Sequence, residues 1–373
     1  MTTKPIGLYL HIPFCKKKCN YCDFCSFAQD GVSWREEYVS NLCREIELYK
    51  SRNVSIDSIF FGGGTPSLLS ISEFSKIVDS IGRSFNIMPS CEFTVEANPG
   101  TLTEEKLLGM KELGMNRLSL GLQSINENEL KILGRIHSYN DFLDSYKSAR
   151  RIGINNINVD LMYGIPDQTV ESFARTLENI ISIEPEHLSL YGLILEEGTS
   201  FYDNRDKLNL PDGDTECDMY YLAADIMKKS GFSHYEISNY CKPGYECKHN
   251  LKYWHNEEYI GVGMSAYSYF GGVRFGNFSS FDEYSLSYGK KYMYEENVDI
   301  KDRAYEYVML RLRLKEGISL SEYKRLFGVD FLNGREDVIN RLAGGGYLVL
   351  KNDALSLTER GFYVSNSILN QLI

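Results

Sequence analysis

The sequence predicts an α/β fold, a full or partial parallel barrel of strands and crossover helices, followed by a smaller C-terminal domain of helices and a short wing. Three observations carry that expectation. Through roughly the first 240 residues, short runs rich in β-formers alternate with stretches of helical periodicity, the pattern of parallel strands joined by helices. Glycines and polar residues cluster where the strand runs end, which is where barrels of this class carry their functional groups. Near Lys301 the alternation gives way to helices and a hairpin, and a chain of 373 residues exceeds the ~250–300 at which single cores stop growing.

The strand runs are Ile6 to His11, Ser58 to Phe61, Glu92 to Ala97, Arg117 to Leu122, Ile157 to Met162 and Leu188 to Leu193. In the first, alternation sets Tyr9 and His11 on the opposite face from Leu8 and Leu10. Trp34 to Lys50 carries Tyr38, Leu42, Ile46 and Tyr49 at helical spacing, Glu104 to Leu113 and Glu129 to Leu133 open further helices, and Val170 to Ile181 is another. The glycines between Gly261 and Gly272 fit a tight loop closing over the barrel mouth. In the last part, Ala304 to Leu314 is a strongly apolar helix and Leu320 to Phe327 follows Ser319 as its cap. Val338 to Leu342 leads into a hairpin over Tyr347 to Leu350 and Leu355 to Leu357, so a winged-helix-like unit is expected.

Composition narrows the class. The chain is 43% hydrophobic and 24% charged, and no apolar run reaches the length of a membrane-spanning helix, so a cytoplasmic globular protein without a signal peptide is expected. Nine scattered cysteines, an odd number, argue for a reducing compartment and against a disulfide framework. A formal charge of −11 argues against nucleic acid, because phosphate binding needs a basic surface and only Lys16-Lys17-Lys18 makes a cationic run. Those lysines suit the solvated rim of a site that attracts an acidic electron donor.

The chemistry begins with Cys15, Cys19 and Cys22, in His11-Ile-Pro-Phe-Cys15-Lys-Lys-Lys-Cys19-Asn-Tyr-Cys22. Structural zinc and ordinary 4Fe-4S clusters take four ligands, so three thiolates in one compact loop suggest a cluster with one iron open. The same residues also suit a zinc loop, given a fourth ligand, or three reduced thiols. Cys25 is close enough to be a fourth thiolate, but it would close the open iron, so it reads as a small buried or half-buried residue. Cys241 and Cys247 with His249 would bind zinc only with a fourth ligand that the sequence does not offer.

Groups suited to a small polar ligand recur at successive strand ends. Gly62-Gly63-Gly64-Thr65-Pro66 follows the second strand, and three consecutive glycines lose much entropy on folding unless the backbone must approach something closely. Glu96 ends the third and suits ribose hydroxyls or an amine. Gln123 ends the fourth, Arg135 follows with a planar fork for a carboxylate, and Asp160 lies on the fifth.

The cysteine spacing resembles the radical S-adenosylmethionine (SAM) superfamily, in which the amino and carboxylate groups of SAM occupy the open iron. Tyr9-Leu-His-Ile-Pro-Phe-Cys15, Gly62-Gly-Gly-Thr65-Pro66, Asp160-Leu-Met-Tyr-Gly164-Ile-Pro166 and Tyr235-Glu-Ile-Ser-Asn239 resemble the oxygen-independent coproporphyrinogen III oxidase group within it. Three features resemble its HemW-type heme chaperone branch more than the oxidases. The oxidases' fourth cysteine falls where this chain has Phe24, only fourteen residues precede Cys15, and His249-Asn250-Leu-Lys-Tyr253-Trp254 matches a His-Asn-x-x-Tyr-Trp signature of the chaperones.

This resemblance implies a partial (β/α)6 radical-SAM barrel over residues 1–235, a family-specific extension over 236–300 and the winged-helix-like domain over 301–373. It implies a 4Fe-4S cluster on Cys15, Cys19 and Cys22, and SAM held by Tyr9, Tyr21, Gly63, Gly64, Thr65, Glu96, Gln123, Arg135 and Asp160. It implies heme as a carried ligand with His249 on its iron, a packing cluster being the other reading of that histidine. The implied partners are a heme-acceptor protein, an electron donor such as flavodoxin or ferredoxin, and membrane heme proteins touched at the periphery. Oxidative decarboxylation of coproporphyrinogen III, and radical methylation or ring opening of a tetrapyrrole, are the rival activities.

Overall fold

The structure, a computed structural model, describes residues 4–28 and 33–373. Six strands run in parallel and in sequence order: β1 (Ile6–Ile12), β2 (Ser55–Gly63), β3 (Asn86–Ala97), β4 (Arg117–Gln123), β5 (Ile157–Tyr163) and β6 (His187–Gly192). All six coincide with strand runs read from the sequence, most extended by one to six residues. The crossover helices are α1 (Arg35–Glu47), α2 (Ile71–Ser84), α3 (Glu104–Glu112), α4 (Glu127–Ile132), α5 (Tyr139–Arg151) and α6 (Val170–Ser182). The side chains of Leu8, Leu10, Phe61, Val95, Leu118, Leu120, Val159 and Leu161 leave the strands toward these helices and are buried against Leu42, Phe74, Ile77 and Phe173. The opposite face of each strand is thereby left to the interior of the barrel.

Of these six crossover helices two, α2 and α5, went unread in the sequence, and both carry a start signal. Ser70 accepts from the Glu73 amide while the Glu73 carboxylate accepts from the Ser70 amide, and Ser138 and Asp141 do the same for α5. Such reciprocal caps satisfy backbone donors that a helix start otherwise leaves without partners.

The barrel stays open, because β1 and β6 find other partners. Beyond β6 come the antiparallel strands Asn239–Cys241 and Ser233–Glu236, and beyond β1 comes Tyr259–Val262, parallel to it, then Tyr267–Phe270, Val273–Gly276 and Tyr294–Asn297. The glycine-rich segment expected to close over the mouth is thus part of the sheet. Gly261 is required by strand contact, since a Cβ there would sit 2.1 Å from the Tyr267 carbonyl oxygen. Between these two sheet edges the chain crosses beneath the strand starts as the helix Lys248–Trp254.

The C-terminal part has its own core of Tyr307, Leu312, Tyr323, Phe331, Leu355 and Phe362. Helices Ile300–Arg311, Leu320–Phe327 and Glu336–Gly344 precede the hairpin Leu348–Lys351 and Ala354–Leu357, to which Ile318–Ser319 adds a third strand. The Ser319 side chain caps the second of these helices from the Glu322 amide, as its sequence position predicted. No helix among the described residues is long and apolar enough to cross a membrane.

Candidate functional site

The cysteine loop leaves β1 over a fixed aromatic base. Phe14 is buried edge-on against Tyr38, with centroids 5.5 Å apart, and also meets Trp34 at 5.5 Å. Farther on, Asn20 ties the loop to the end of α4, its amide donating to the Leu133 carbonyl at 3.0 Å and its Nδ2 to that of Ile132 at 2.8 Å. Gly64 donates to the Ile12 carbonyl at 2.8 Å, and a Cβ there would meet the Phe14 carbonyl oxygen at 2.7 Å. Gly63, at φ +104°, lies under the His11 ring. The glycine run therefore brings β2 against the cysteine loop, and Gly63 and Gly64 also line the cavity beside that loop.

Cys15, Cys19 and Cys22 line the lip of one cavity of ≈ 570 Å³. Thr65 Oγ1 donates to Cys15 Sγ at 3.6 Å and Arg135 Nη1 to Cys19 Sγ at 3.5 Å. Burial, with Cys19 and Cys15 beside it, raises the Cys22 thiol to about 11, and burial raises Cys15 as well, so taking up a metal releases protons here. Among the described residues no three His, Cys, Asp or Glu groups converge on the position of a single ion. An iron–sulfur cubane takes one thiolate per iron and needs no such convergence. Three soft donors around one lip, two of them with hydrogen bonds to sulfur, fit a cluster with one iron open. Cys25 faces elsewhere: it lines a second cavity, and its thiol points to the Ser279 carbonyl at 3.5 Å. Cys241 and Cys247 are fully buried, and Cys247 Sγ contacts Glu92 Oε1 at 3.5 Å.

Eight of the residues read as SAM contacts, Tyr9, Tyr21, Gly63, Gly64, Glu96, Gln123, Arg135 and Asp160, line the large cavity. Thr65 stands behind it, joining Asn98 Nδ2 at 2.8 Å to the Cys15 sulfur. Arg135 is held by Asn98 Oδ1 at 2.6 Å and by the Gly121 carbonyl, which aims its fork along the cavity wall. Burial and the nearby Asp160 raise the Glu96 carboxyl to about 8. Burial also raises Asp160, whose Oδ1 accepts from Asn158 Nδ2 at 2.8 Å and Oδ2 from Ser119 Oγ at 3.3 Å.

Several cavity residues escaped the sequence reading, among them Asn98, Arg117, Ser119, Asn158, Ser189 and Tyr191. Most were within reach of strand alternation. Arg117 and Ser119 share the inward register of Gly121 and Gln123 on β4, and Asn158 that of Asp160 on β5. Arg117 is 2% exposed and its Nε has no hydrogen-bond partner, so a cation sits at the start of β4 facing Asp160 and Glu92.

His249 lies apart from the cysteines, on the helix under the strand starts. It is 1% exposed, its Nδ1 paired with Ser58 Oγ at 2.9 Å and its Nε2 with Tyr253 OH at 2.8 Å. Its ring stacks on Phe60 at 5.2 Å and Tyr9 at 6.4 Å. Burial, with Lys252 and Arg117 near, lowers it to about 3, so the imidazole is neutral. Neither ring nitrogen is free for iron, and this geometry is the packing cluster that the sequence had left as the other reading.

Against known proteins, residues 9–180 match the model of the radical SAM superfamily and residues 298–364 that of the HemN C-terminal domain. A heme chaperone HemW of Lactococcus lactis is 34% identical, covering 100% of this chain and 98% of the relative. Those of Bacillus subtilis and Escherichia coli are 36% and 35% identical, each covering 98% of this chain and 98% and 97% of the relatives. Among solved structures, the coproporphyrinogen III oxidase HemN of Escherichia coli superposes with a TM-score of 0.87 over 99% of this chain and 90% of that one. Its identity of 21% makes this a likeness of fold.

Proposed function

The chain belongs to the HemW heme chaperone family of the radical SAM superfamily, and on that premise we propose that it binds heme and passes it chemically intact to an acceptor protein. The observation that carries this reading is identity of 34% to 36% with proteins of that name over nearly the whole of both chains. The cysteine lip and cavity fit the superfamily's cofactors. Cys15, Cys19 and Cys22 would hold a 4Fe-4S cluster with one iron open, and the cavity beneath would take SAM. When bound, that pair supplies one-electron cleavage of the sulfonium carbon–sulfur bond.

The chain's own groups divide the work of holding SAM. The Arg135 fork, already oriented by Asn98, pairs with the ligand carboxylate. Asp160, fixed by Asn158 and Ser119, accepts from ribose hydroxyls. Glu96, held neutral up to about pH 8 by burial, donates or accepts one hydrogen bond without bringing a second free charge beside Asp160. Thr65 and Arg135 place hydrogen bonds on two cysteine sulfurs, which favours the reduced cluster. The exposed Lys16, Lys17 and Lys18 flank the lip and would attract an acidic donor such as flavodoxin or ferredoxin. A cytoplasmic location with peripheral contact to membrane heme proteins fits this role.

Anaerobic reconstitution tests it. With SAM and dithionite, heme should bind near one per chain with its mass unchanged, and coproporphyrinogen III should remain untouched. Conversion of coproporphyrinogen to protoporphyrinogen would make the chain an oxidase, and SAM-dependent loss of the heme spectrum a ring-opening enzyme.

A further inference from the structure

A second cavity, of ≈ 360 Å³, shares Tyr9 with the first and is bordered by β1 and its paired neighbour Tyr259–Val262. Tyr9, Asp23 and Phe24 line both, so one thin wall separates them. The cavity's other walls are mostly aromatic, with His11 and Ser265 among them, and both His11 ring nitrogens are engaged, Nδ1 with Tyr9 OH at 3.1 Å and Nε2 with the Cys25 carbonyl at 2.7 Å. Tyr253 and Tyr259 meet edge-on with centroids 4.6 Å apart, and Tyr267 and Phe24 add two more rings to the lining. Phe24 is 61% exposed and Tyr267 45%, two large rings of the lining left in water. Inside the cleft is one sulfur donor, Cys25. At its rim is a cation, since Lys18 Nζ donates to the Phe24 carbonyl at 3.2 Å.

We infer that this second cavity is the heme site, with the Cys25 sulfur on the iron and Lys18 placed for a propionate. The inference rests on the heme-carrying function proposed above and adds the location and the ligand. Perpendicular aromatic rings offer one face to stack on a planar macrocycle and one edge to abut it, a thiolate is a known axial donor to heme iron, and a rim ammonium suits a carboxylate. The volume lies within the range of small-molecule sites. Exposed rings in the lining leave one edge of the macrocycle in reach of an acceptor, as a transferable cargo requires. On binding, the Fe–S bond forms as the Cys25 thiol proton leaves to solvent and water leaves the ferric iron.

The same geometry explains His249. Its Nε2 bonds the hydroxyl of Tyr253, whose ring is a wall of this cavity, so His249 acts as a positioning residue one layer behind the ligand.

The test is a hemin titration of the full-length, cluster-reconstituted protein. Cys25→Ser should shift the Soret maximum and remove the thiolate signature in magnetic circular dichroism. Tyr267→Ala should weaken hemin about tenfold, the value of one lost aromatic face. His249→Ala should weaken binding with the Soret position unchanged, and Cys217→Ser, a thiol outside both cavities, should bind as the parent does. Iron content of the cluster reports that each variant is folded. The inference is overturned if Cys25→Ser keeps the parent's Soret band and Tyr267→Ala binds within twofold of it, or if His249→Ala alone shifts the band, which hands the iron to the imidazole. A parent protein that takes up no hemin overturns the chaperone function itself.

Discussion

The two ends of the barrel use the same residue types for opposite purposes. At the lip, Cys19 and Cys22 are half exposed and share one cavity, and Arg135, which donates to the Cys19 sulfur, also faces that cavity. Under the strand starts, Cys247 and His249 are wholly buried, and Ser58, Tyr253 and Glu92 supply their polar partners. A cysteine or histidine that is open to a cavity and lightly satisfied is available for chemistry. One whose partners are all in place is part of the packing, since taking it away leaves buried polar groups unpaired.

Substitutions at each end can break this contrast. The largest effect is expected from Cys19→Ala, which removes a thiolate that no neighbour replaces: cluster iron and its visible absorbance should fall to background while the far-ultraviolet circular dichroism stays unchanged. His249→Ala should do the reverse. It strands the Ser58 and Tyr253 hydroxyls and hollows the space beneath Phe60, costing about 3 kcal/mol in denaturant unfolding of the cluster-free protein, with cluster uptake retained. Equal loss of iron in both variants would erase the distinction between the two ends.

Arg135→Lys replaces a fork that reaches Asn98, the Gly121 carbonyl and the Cys19 sulfur by a single point charge. SAM binding to the reconstituted protein should weaken about tenfold by equilibrium dialysis.

The smallest effect is in pH dependence, and the two ends give opposite signs. Glu96 is raised from 4.5 to about 8, so its contribution to stability is full below 4.5 and is lost as pH rises toward 8. His249 is lowered from 6.5 to about 3, so its contribution is full above 6.5 and is lost as pH falls toward 3. Melting temperatures of the SAM-free protein across pH 4 to 9 should therefore show Glu96→Gln removing a decline that runs from about pH 4.5 to 8, most cleanly above 6.5 where His249 no longer titrates.

Local patterns made much of this molecule legible. The six strand cores were visible because buried parallel strands concentrate β-branched and apolar residues in short runs, and the cysteine loop because ligand spacing is a property of contiguous chain. Strands and their ends drew attention to Glu96, Gln123 and Asp160, and the planar fork of its side chain to Arg135 in the loop after α4. Helices α2 and α5 were passed over, although Ser70 with Glu73 and Ser138 with Asp141 marked their starts.

The sequence by itself determined the parallel strand order, the three-cysteine lip and the winged C-terminal unit, because these depend on periodicity, spacing and capping among near neighbours. Only the tertiary structure decided that Gly261 and Tyr267 extend the sheet, that Gly64 serves the cysteine loop, that Cys25 faces a second cavity and that His249 is sealed beneath the strands. Each of those depends on which residues far apart in sequence meet in space. The hydrogen bond between Ser58 and His249, spanning 191 positions, leaves no trace in the spacing of either.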